Sequence, residues 1–382
     1  MLPREIIAVG SLMLRPPVEA DAPAIRAACD DPLTARRLPL IPSPYTLEDA
    51  HAYVRRAEAV WESGGAEFTI TEDGRYAGSA GVTPLTPHGS ARVEHVIAPE
   101  ARGRGVAGAV ARGLTEWLLD HGVERVELEA EMEDLPALRA AYRAGFREEG
   151  RRRGAKALRE GRRVDLVTFA RLARDGGEPV EQALPFFDGG FERGELGDRV
   201  VRLTPLAAED AADFHRMLGD PGVARFGVGP AASLEDDERR CRATGYLWLS
   251  GQRIELAVRD AAGGAFAGHL QLINGMPAFG EAMLGYSLLP EFRGRGLMTR
   301  AVRLLSDWAF ARTSLHRLVA GTDAANTASQ AVLERAGFVR EGVRREFFPQ
   351  PDGRRTDEVS WLQLRPKKGD FLLRSGQGTP RG

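Results

Sequence analysis

The sequence predicts an α/β (α+β) protein made of two tandem copies of one domain, each a mixed, mostly antiparallel sheet flanked by helices. Three observations carry this. The chain has 382 residues, long for one core and comfortable for two. Four sequence blocks recur in one order, about 190 residues apart. Within each copy, a strand meander runs into a glycine loop and then a helix.

The repeat is legible without alignment to anything else. PEARGRGVAGAVARGLTEWLL from Pro99 matches PEFRGRGLMTRAVRLLSDWAF from Pro290, 191 residues on. RAGFREEGRRR around Gly145 matches RAGFVREGVRR around Gly337, and GRRVDLVTFARL from Gly161 matches GRRTDEVSWLQL from Gly353, both 192 residues on. Near the start of each copy an acidic helix start precedes Asp31-Pro32 and Asp220-Pro221, 189 residues apart. Offsets that drift so little over four blocks mean duplication. The domains are expected at 1–173 and 199–366. Residues 174–198, rich in Gly, Pro and acids, read as a linker able to dock Phe186-Phe187 on a neighbouring surface. Residues 367–382 read as a disordered tail.

Taken in order, the second copy shows why. TLEDAHAYVRR in the first copy and SLEDDERR from Ser233 in the second read as capped amphipathic helices. RIELAVRD, AFAGHLQLI and AMLGYSLL alternate as strands and are broken by Gly turns. PEFRGRG is a turn, and LMTRAVRLLSDWAFART has helical spacing. HRLVAGT is a strand, ASQAVLERAG a helix, and a last strand pair surrounds GRRTDEVSWLQL. The first copy follows the same order.

Composition narrows the function. Hydrophobic residues make up 43% and charged ones 28%, with a formal charge of −2 and Arg interleaved with Asp and Glu. No global field draws nucleic acid or an anionic membrane. Cys29 and Cys241 stand far apart without metal-ligand or CxxC spacing, so neither a disulfide scaffold nor a metal site is expected. No apolar run approaches the ~20 residues of a membrane helix, and the opening MLPREIIAVG lacks a basic segment followed by a long apolar one. The expected compartment is the cytoplasm. The strand, glycine loop and helix N-terminus converge unpaired N–H groups with the positive end of the helix dipole, so a phosphate-bearing ligand is expected. The loop lacks the GKS or GKT ending of a P-loop and the GxGxxG of dinucleotide folds.

Arg293-Gly294-Arg295-Gly296, the AGF at Ala336 to Phe338 and the EGVRR that follows resemble the GCN5-related N-acetyltransferases, closest to the ribosomal-protein alanine acetyltransferase branch. The resemblance covers nearly all of each copy and implies acetyl-CoA as co-substrate, its pyrophosphate held by loop amides. In the first copy these are Arg102, Gly103, Arg104, Gly105, Val106 and Ala107, which satisfy the family signature. In the second they are Arg293, Gly294, Arg295, Gly296, Leu297 and Met298, where Met298 departs from the usual Gly or Ala. The resemblance further implies that Asn326 supports the pantetheine arm and that Ser329 lies near the thioester sulfur. Helix capping is the alternative for both. The first copy has Asp134 and Ala137 there. Tyr142 misses the family's proton-donor position by one residue and reads as packing.

Acetyl transfer needs a neutral amine, yet an alkyl ammonium with pKa about 10.4 leaves only about one molecule in a thousand reactive at pH 7. Glu281, at a strand entrance, is the acidic candidate for base, with a solvated ion pair as its alternative reading. The main chains of Leu288 and Leu289 are expected to contact the acetyl group and pantetheine, and Ser329 to assist the leaving thiolate. No metal is required, and His269 and His316 read as structural or surface residues. The second copy is therefore expected to catalyse and the first to be degenerate. The competing readings are a non-catalytic acyl-CoA sensor or scaffold, and two active copies with the first relying on Glu94 or His95. The acceptor is an amine-bearing small molecule or a protein N-terminus. The assembly is expected to be a pseudo-dimeric monomer or a homodimer.

Overall fold

Alternation along the central strands decides where the helices sit, because successive side chains of a strand face opposite ways. In the computed structural model, which describes residues 2–84, 86–227, 232–350 and 353–367, the chain divides into two units, Met1–Glu181 and Gln182–Gly382. Apart from residue 367, the tail expected to be disordered lies outside the described residues.

The first unit comprises β1 (Ile7–Val9), β2 (Leu12–Arg15), α1 (Ala22–Cys29), α2 (Pro32–Arg37), α3 (Leu47–Glu62), β3 (Ala66–Glu72), β4 (Arg75–Val82), β5 (Ser90–Ile97), α4 (Val106–Asp120), β6 (Arg125–Glu131), α5 (Leu135–Arg143), β7 (Arg147–Ala157) and β8 (Arg163–Leu172). Its eight strands lie in the order β1-β2-β3-β4-β5-β6-β8-β7, antiparallel except for the β5–β6 pair. The second unit comprises α6 (Gly190–Arg193), β9 (Leu196–Gly197), β10 (Val201–Pro205), α7 (Ala211–Leu218), α8 (Pro221–Ala224), α9 (Leu234–Leu249), β11 (Arg253–Asp260), β12 (Phe266–Met276), β13 (Glu281–Leu288), α10 (Leu297–Arg312), β14 (Arg317–Asp323), α11 (Thr327–Ala336), β15 (Val339–Pro349) and β16 (Arg355–Leu364). Its strands lie in the same order, β9-β10-β11-β12-β13-β14-β16-β15, with β13 and β14 the parallel pair.

In the second unit Ile254, Leu256 and Val258 pack with α10 and α11 in one core, while Ala257 packs with Phe214 and Met217 of α7 and Cys241 of α9 in another. The sheet is thus covered on both faces. Helices α3 and α9 begin with the capping boxes read from the sequence: Thr46 accepts from Asp49 N (3.2 Å) and Ser233 from Asp236 N (3.1 Å). The acids of SLEDDERR are largely used locally, since Asp236 closes the cap and the buried Asp237 pairs with His215 Nδ1 at 2.7 Å.

Residues 174–198, read from the sequence as a linker, divide between the units at Glu181 and Gln182. Leu184 and Phe187 are buried in the second unit's core. Phe187 stands edge-on to Trp248 and Trp308, with ring centroids 4.8 and 5.0 Å away, and Trp248 Nε1 donates to the Pro185 carbonyl (3.1 Å). β9 then extends the sheet along β10. Among the described residues, no helix is long and apolar enough to cross a membrane.

Phe187→Ala is expected to destabilise the second unit by about 3–5 kcal/mol, the cost of emptying a buried aromatic site. Urea unfolding followed by tryptophan fluorescence measures it. A change within about 0.5 kcal/mol, typical of a surface position, would show that this segment is only a tether.

Candidate active site

Each unit builds its site from an Asp-Pro pair. Proline suits the first helical position, and the preceding Asp caps the short helix. Asp31 accepts from Thr34 N (3.0 Å), and Asp220 accepts from Gly222 N (3.1 Å) and Val223 N (3.2 Å). Each carboxylate also takes the first Arg of the RGRG loop: Arg102 Nη2 donates to Asp31 at 2.6 Å, and Arg293 Nη2 donates to Asp220. Through Nε the same guanidiniums hold the last carbonyl of the preceding strand, Arg102 on Ile97 (3.2 Å) and Arg293 on Leu288 (3.2 Å). The Arg293 hydrogen bond holds the Asp220 carboxyl below its ordinary range. Burial raises that of Asp31, but Arg102 and Thr34 outweigh it and the net shift is downward.

The second loop arginines are also engaged, Arg104 with Glu72 and Arg295 with Asp260, both at 2.6 Å. With all four guanidiniums paired to acids, the loop's affinity for an anion rests chiefly on its backbone. Gly103 and Gly105 have φ of 74° and 84°, and Gly294 and Gly296 have 73° and 75°, the left-handed region that glycine enters at little cost. A Cβ at any of the four would meet nothing within 4 Å, so the concave side of each loop is open. Gly105 and Gly296 directly precede α4 and α10, whose first turns have no side-chain cap. Their N–H groups and helix dipoles therefore face that space, and a pyrophosphate fits it. Val106 and Leu297 are buried anchors for the two helices. Met298, at 2% exposure, packs in the core, so its departure from the family signature leaves the loop uncrowded. Ala107 is half-buried.

Ahead of each loop the sheet splits. β13 and β14 stay in parallel register only as far as Met283 and Val319, and β5 and β6 only as far as Arg92 and Glu127. Antiparallel ladders direct alternate residues' main-chain groups to opposite neighbours. Leu289 N donates to Ala267 O of β12 (3.0 Å), so Tyr286 and Leu288 direct theirs into the gap. The same bond corrects the expectation for Leu289: its N–H is taken by β12, its C=O accepts from Phe292 N (3.1 Å), and the main-chain contact falls to Leu288 and Tyr286.

Across the gap stands α11. Asn326 caps it by accepting from Ser329 N (3.1 Å), and Ser329 Oγ lies 2.9 Å from the Tyr286 hydroxyl, which also donates to the Ser329 carbonyl at 3.2 Å. Burial pushes the Tyr286 phenol up to about 12, with the Ser329 hydrogen bond opposing. Tyr286 is the residue that sequence reading missed. Its signal was the period of two in GYSLL, which puts it in phase with Leu288.

The first unit differs at each of these places. His95 holds the strand position of Tyr286, with Nδ1 sealed from solvent and without a partner, and burial lowers its imidazole to about 4. Ala137 replaces Ser329. Asp134 caps α5, accepting from Ala137 N (3.3 Å), and is ion-paired with Arg37. Burial raises the Asp134 carboxyl, with Arg37 opposing. Glu94 is exposed. Tyr142 donates to Glu148 (2.6 Å) and stands edge-on to Phe169, a packing role.

Glu281 is not brought to the gap. It lies five residues before Tyr286, about 17 Å along an extended strand, and accepts from Arg317 Nε at 2.8 Å. Of the two readings made for it, base and ion pair, the geometry matches the second: the carboxylate belongs to an ion-pair chain through Arg317 to Glu341. His269 is buried and bonded to Glu255, and His316 is exposed. Glu255 itself is fully buried. Desolvation pushes its carboxyl up, but His269, Arg240 and Arg253 outweigh it and hold it at about 2. Burial raises the thiols, Cys29 to about 11 and Cys241 to about 12, so neither is a nucleophile at neutral pH. Among the described residues no cluster of His, Cys, Asp and Glu could hold a metal ion.

The family model described as Acetyltransferase (GNAT) domain matches the chain twice, over residues 11–147 and 201–339. The "Probable N-acetyltransferase YjcK" of Bacillus subtilis (strain 168) is 46% identical over 76 residues, 20% of this chain and 41% of that protein. The chain thus spans less than half the length of that relative. The spermidine N(1)-acetyltransferase of Escherichia coli (strain K12) is 31% identical over 151 residues, 39% of this chain and 78% of that protein. Among solved structures, the ribosomal-protein-S5-alanine acetyltransferase from Vibrio fischeri is 23% identical, covering 45% of this chain and 97% of its own, with a TM-score of 0.42.

Glu255→Gln leaves the Arg240 and Arg253 guanidiniums and the His269 imidazole around a buried amide instead of a carboxylate and is expected to cost about 3–5 kcal/mol. The folded pKa lies below the unfolded value of about 4.3, so the stability this group contributes is present above pH 4.3 and is lost as pH falls towards 2. Urea midpoints measured from pH 7 to pH 2 are expected to converge between parent and variant. A constant gap would show that the carboxylate charge is not what stabilises.

Proposed function

We propose, on the premise that the chain belongs to the acetyltransferase (GNAT) family in both of its repeats, that the second unit transfers an acetyl group from acetyl-CoA to a primary amine by direct attack. The observation that carries this reading is the Tyr286–Ser329 pair across the strand gap, next to an open glycine loop. The loop amides of Arg293 to Met298 hold the pyrophosphate. The main-chain N–H groups of Tyr286 and Leu288 face the thioester and stabilise the oxyanion as the amine adds. Asn326 fixes the start of α11 and so the position of Ser329.

When the intermediate collapses, the leaving sulfur takes up negative charge. A phenol near 12 stays protonated at neutral pH, so Tyr286, accepting from the Ser329 hydroxyl, turns its one O–H from the Ser329 carbonyl to the thiolate. A thiol pKa near 8.5 makes complete proton transfer from this phenol unfavourable. The pair therefore acts as donor, and the amine's own proton ends on the sulfur or in water.

The acceptor must arrive neutral. Neither acid of this region serves as base, since Glu281 is ion-paired away from the gap and Glu255 is held at about 2 within its cationic cage. An α-amino group, with pKa of about 7.7–8.0, leaves roughly one molecule in ten neutral at pH 7, against about one in a thousand for an alkyl amine. This favours a protein or peptide N-terminus. The first unit keeps the complete loop and binds acetyl-CoA, but with Ala137 and an ion-paired Asp134 it does not turn over.

Gly296→Asp places a carboxylate where the pyrophosphate lies and is expected to abolish turnover and one binding event in calorimetric titration with acetyl-CoA. Gly105→Asp is expected to remove the other event and leave turnover intact. Loss of turnover with Gly105→Asp alone would move catalysis to the first unit.

Tyr286→Phe and Ser329→Ala each remove a hydrogen bond to a charged atom, worth about 1.5–3 kcal/mol, so kcat is expected to fall about 10- to 100-fold with acetyl-CoA affinity changed less than about threefold. Stopped-time assays with a peptide acceptor measure this, and unchanged kcat in both variants would reduce the pair to a packing contact.

A further inference from the structure

One face of the second sheet is packed by α7 and α9 at one end and exposed at the other. Ala257, which packs with those helices, lies opposite His269, and His269 opposite Ser287, so the residues of this face along β13 are Ser287, Gly285 and Met283. Met283 belongs to a transverse row that runs Ile273, Met283, Val319, Leu362, Val339 from β12 to β15. Every member is apolar, and the row is not sealed. Met283 is 42% and Val339 62% exposed, and Leu364, two residues along β16 on the same face, is 51% exposed.

The first repeat is built differently at the same register. Its row runs Arg92, Glu127, Ala170, Arg147, the counterparts of Met283, Val319, Leu362 and Val339. Arg92 pairs with Glu127 (3.6 Å) and Glu129 (3.7 Å), and Glu127 also takes Arg125 (3.0 Å). Paired charges keep an open sheet face in water. The second repeat holds in their place side chains that gain by leaving it, and a contiguous apolar surface of this kind marks a place of binding.

The row lies at the fork of the sheet. Met283 and Val319 are the last parallel pair before β13 and β14 separate, and the next residue of this face on β13 is Gly285, where the first repeat has Glu94. Tyr286 belongs to the other face, where its hydroxyl meets Ser329 of α11. An acceptor that reaches the gap opposite Tyr286 therefore passes over the row. From Met283 to Val339 the row crosses β14 and β16, about 14 Å at ordinary strand spacing, the reach of about four residues of extended chain.

We infer that this row seats the acceptor's own chain, and that the second unit selects a peptide N-terminus whose next residues are aliphatic. The inference rests on the reading that the second unit acetylates an amine. The α-amine enters the fork while the side chains behind it cover Met283, Val319 and Val339. Apolar burial of this kind acts on the KM for the acceptor, and salt, which screens charges, leaves it in place.

Initial rates at fixed acetyl-CoA would be compared for the hexapeptides Ser-Leu-Val-Leu-Gly-Trp and Ser-Asn-Gln-Asn-Gly-Trp. The aliphatic peptide is expected to exceed the polar one at least about tenfold in kcat/KM, chiefly through KM, with the ratio unchanged in 0.5 M NaCl. Met283→Arg and Val339→Arg place at these exposed positions the residue type of the first repeat. Each is expected to lower the ratio at least about threefold, with the affinity for acetyl-CoA, read by calorimetry, unchanged. A ratio near one, a preference for the polar peptide, or a ratio that both variants keep would overturn the inference. So would turnover of neither peptide by protein that binds acetyl-CoA. A parent that sediments as a dimer, with Val339→Arg monomeric and the ratio unchanged, would assign the row to a second copy of the chain and overturn it as well. Failure to bind acetyl-CoA at all would instead sink the reading on which the inference rests.

Discussion

One clamp organises both units: a helix-capping aspartate, the first loop arginine, and the last carbonyl of the strand that enters the loop. Asp31, Arg102 and Ile97 form it in the first unit, and Asp220, Arg293 and Leu288 in the second. Each member satisfies a need that would otherwise go unmet. The cap answers orphan N–H groups at a helix start, the arginine neutralises the carboxylate, and the carbonyl has lost its ladder partner because the sheet has split. With the strand end and the short helix fixed to one guanidinium, the two left-handed glycines have a defined path, and the long helix begins where its uncapped N–H groups face open space. The clamp explains why the Asp-Pro pair recurs in the repeat although it lies about 70 residues from the loop.

The scaffold is therefore shared, and the difference between units lies in what faces the gap. In the second unit a buried phenol meets a serine. In the first, an imidazole at the same strand position keeps Nδ1 unpaired, opposite an alanine and an aspartate already committed to Arg37. An unpaired buried nitrogen costs free energy, so the first unit carries a local frustration that the second has resolved. Both copies nevertheless retain the loop, because the clamp that holds it also holds the fold.

Much of this was legible in the sequence, for reasons that can be named. The repeat, the strand meander, the glycine loop and the capped helices are local patterns, and α10 and β11 fall within a residue of the segments read for them. What escaped depends on register or on distant partners. Leu288 and Leu289 look interchangeable in a string, yet ladder alternation commits the main chain of Leu289 to β12 and Phe292 and turns that of Leu288 to the gap. Glu281 reads as an available base until Arg317, 36 residues on, is seen to hold it. The Phe186-Phe187 pair in a Gly- and Pro-rich stretch reads as a linker element able to dock, but its string does not name the dock, a space between Trp248 and Trp308 that Phe187 fills.

The two sheets also differ along one transverse row, and that difference bears on the chemistry. In the first unit the row runs Glu67, Gly81, Glu94; in the second it runs Glu255, Gln271, Gly285. Burial raises the Glu67 carboxyl, and its near partner is the Tyr53 hydroxyl at 2.6 Å, with Glu94 adding like charge. Glu255 instead lies under Arg240, Arg253 and His269 and is pressed down to about 2. The face of the second sheet thus presents guanidinium where the first presents carboxylate. An acid caged in this way cannot take a proton from an alkyl ammonium, because its affinity for one falls short by about eight pKa units. Within the proposed function, this leaves the second unit without a base in Glu255, and an amine that releases its own proton near neutrality, such as an α-amino group, needs such help less than a lysine-like one.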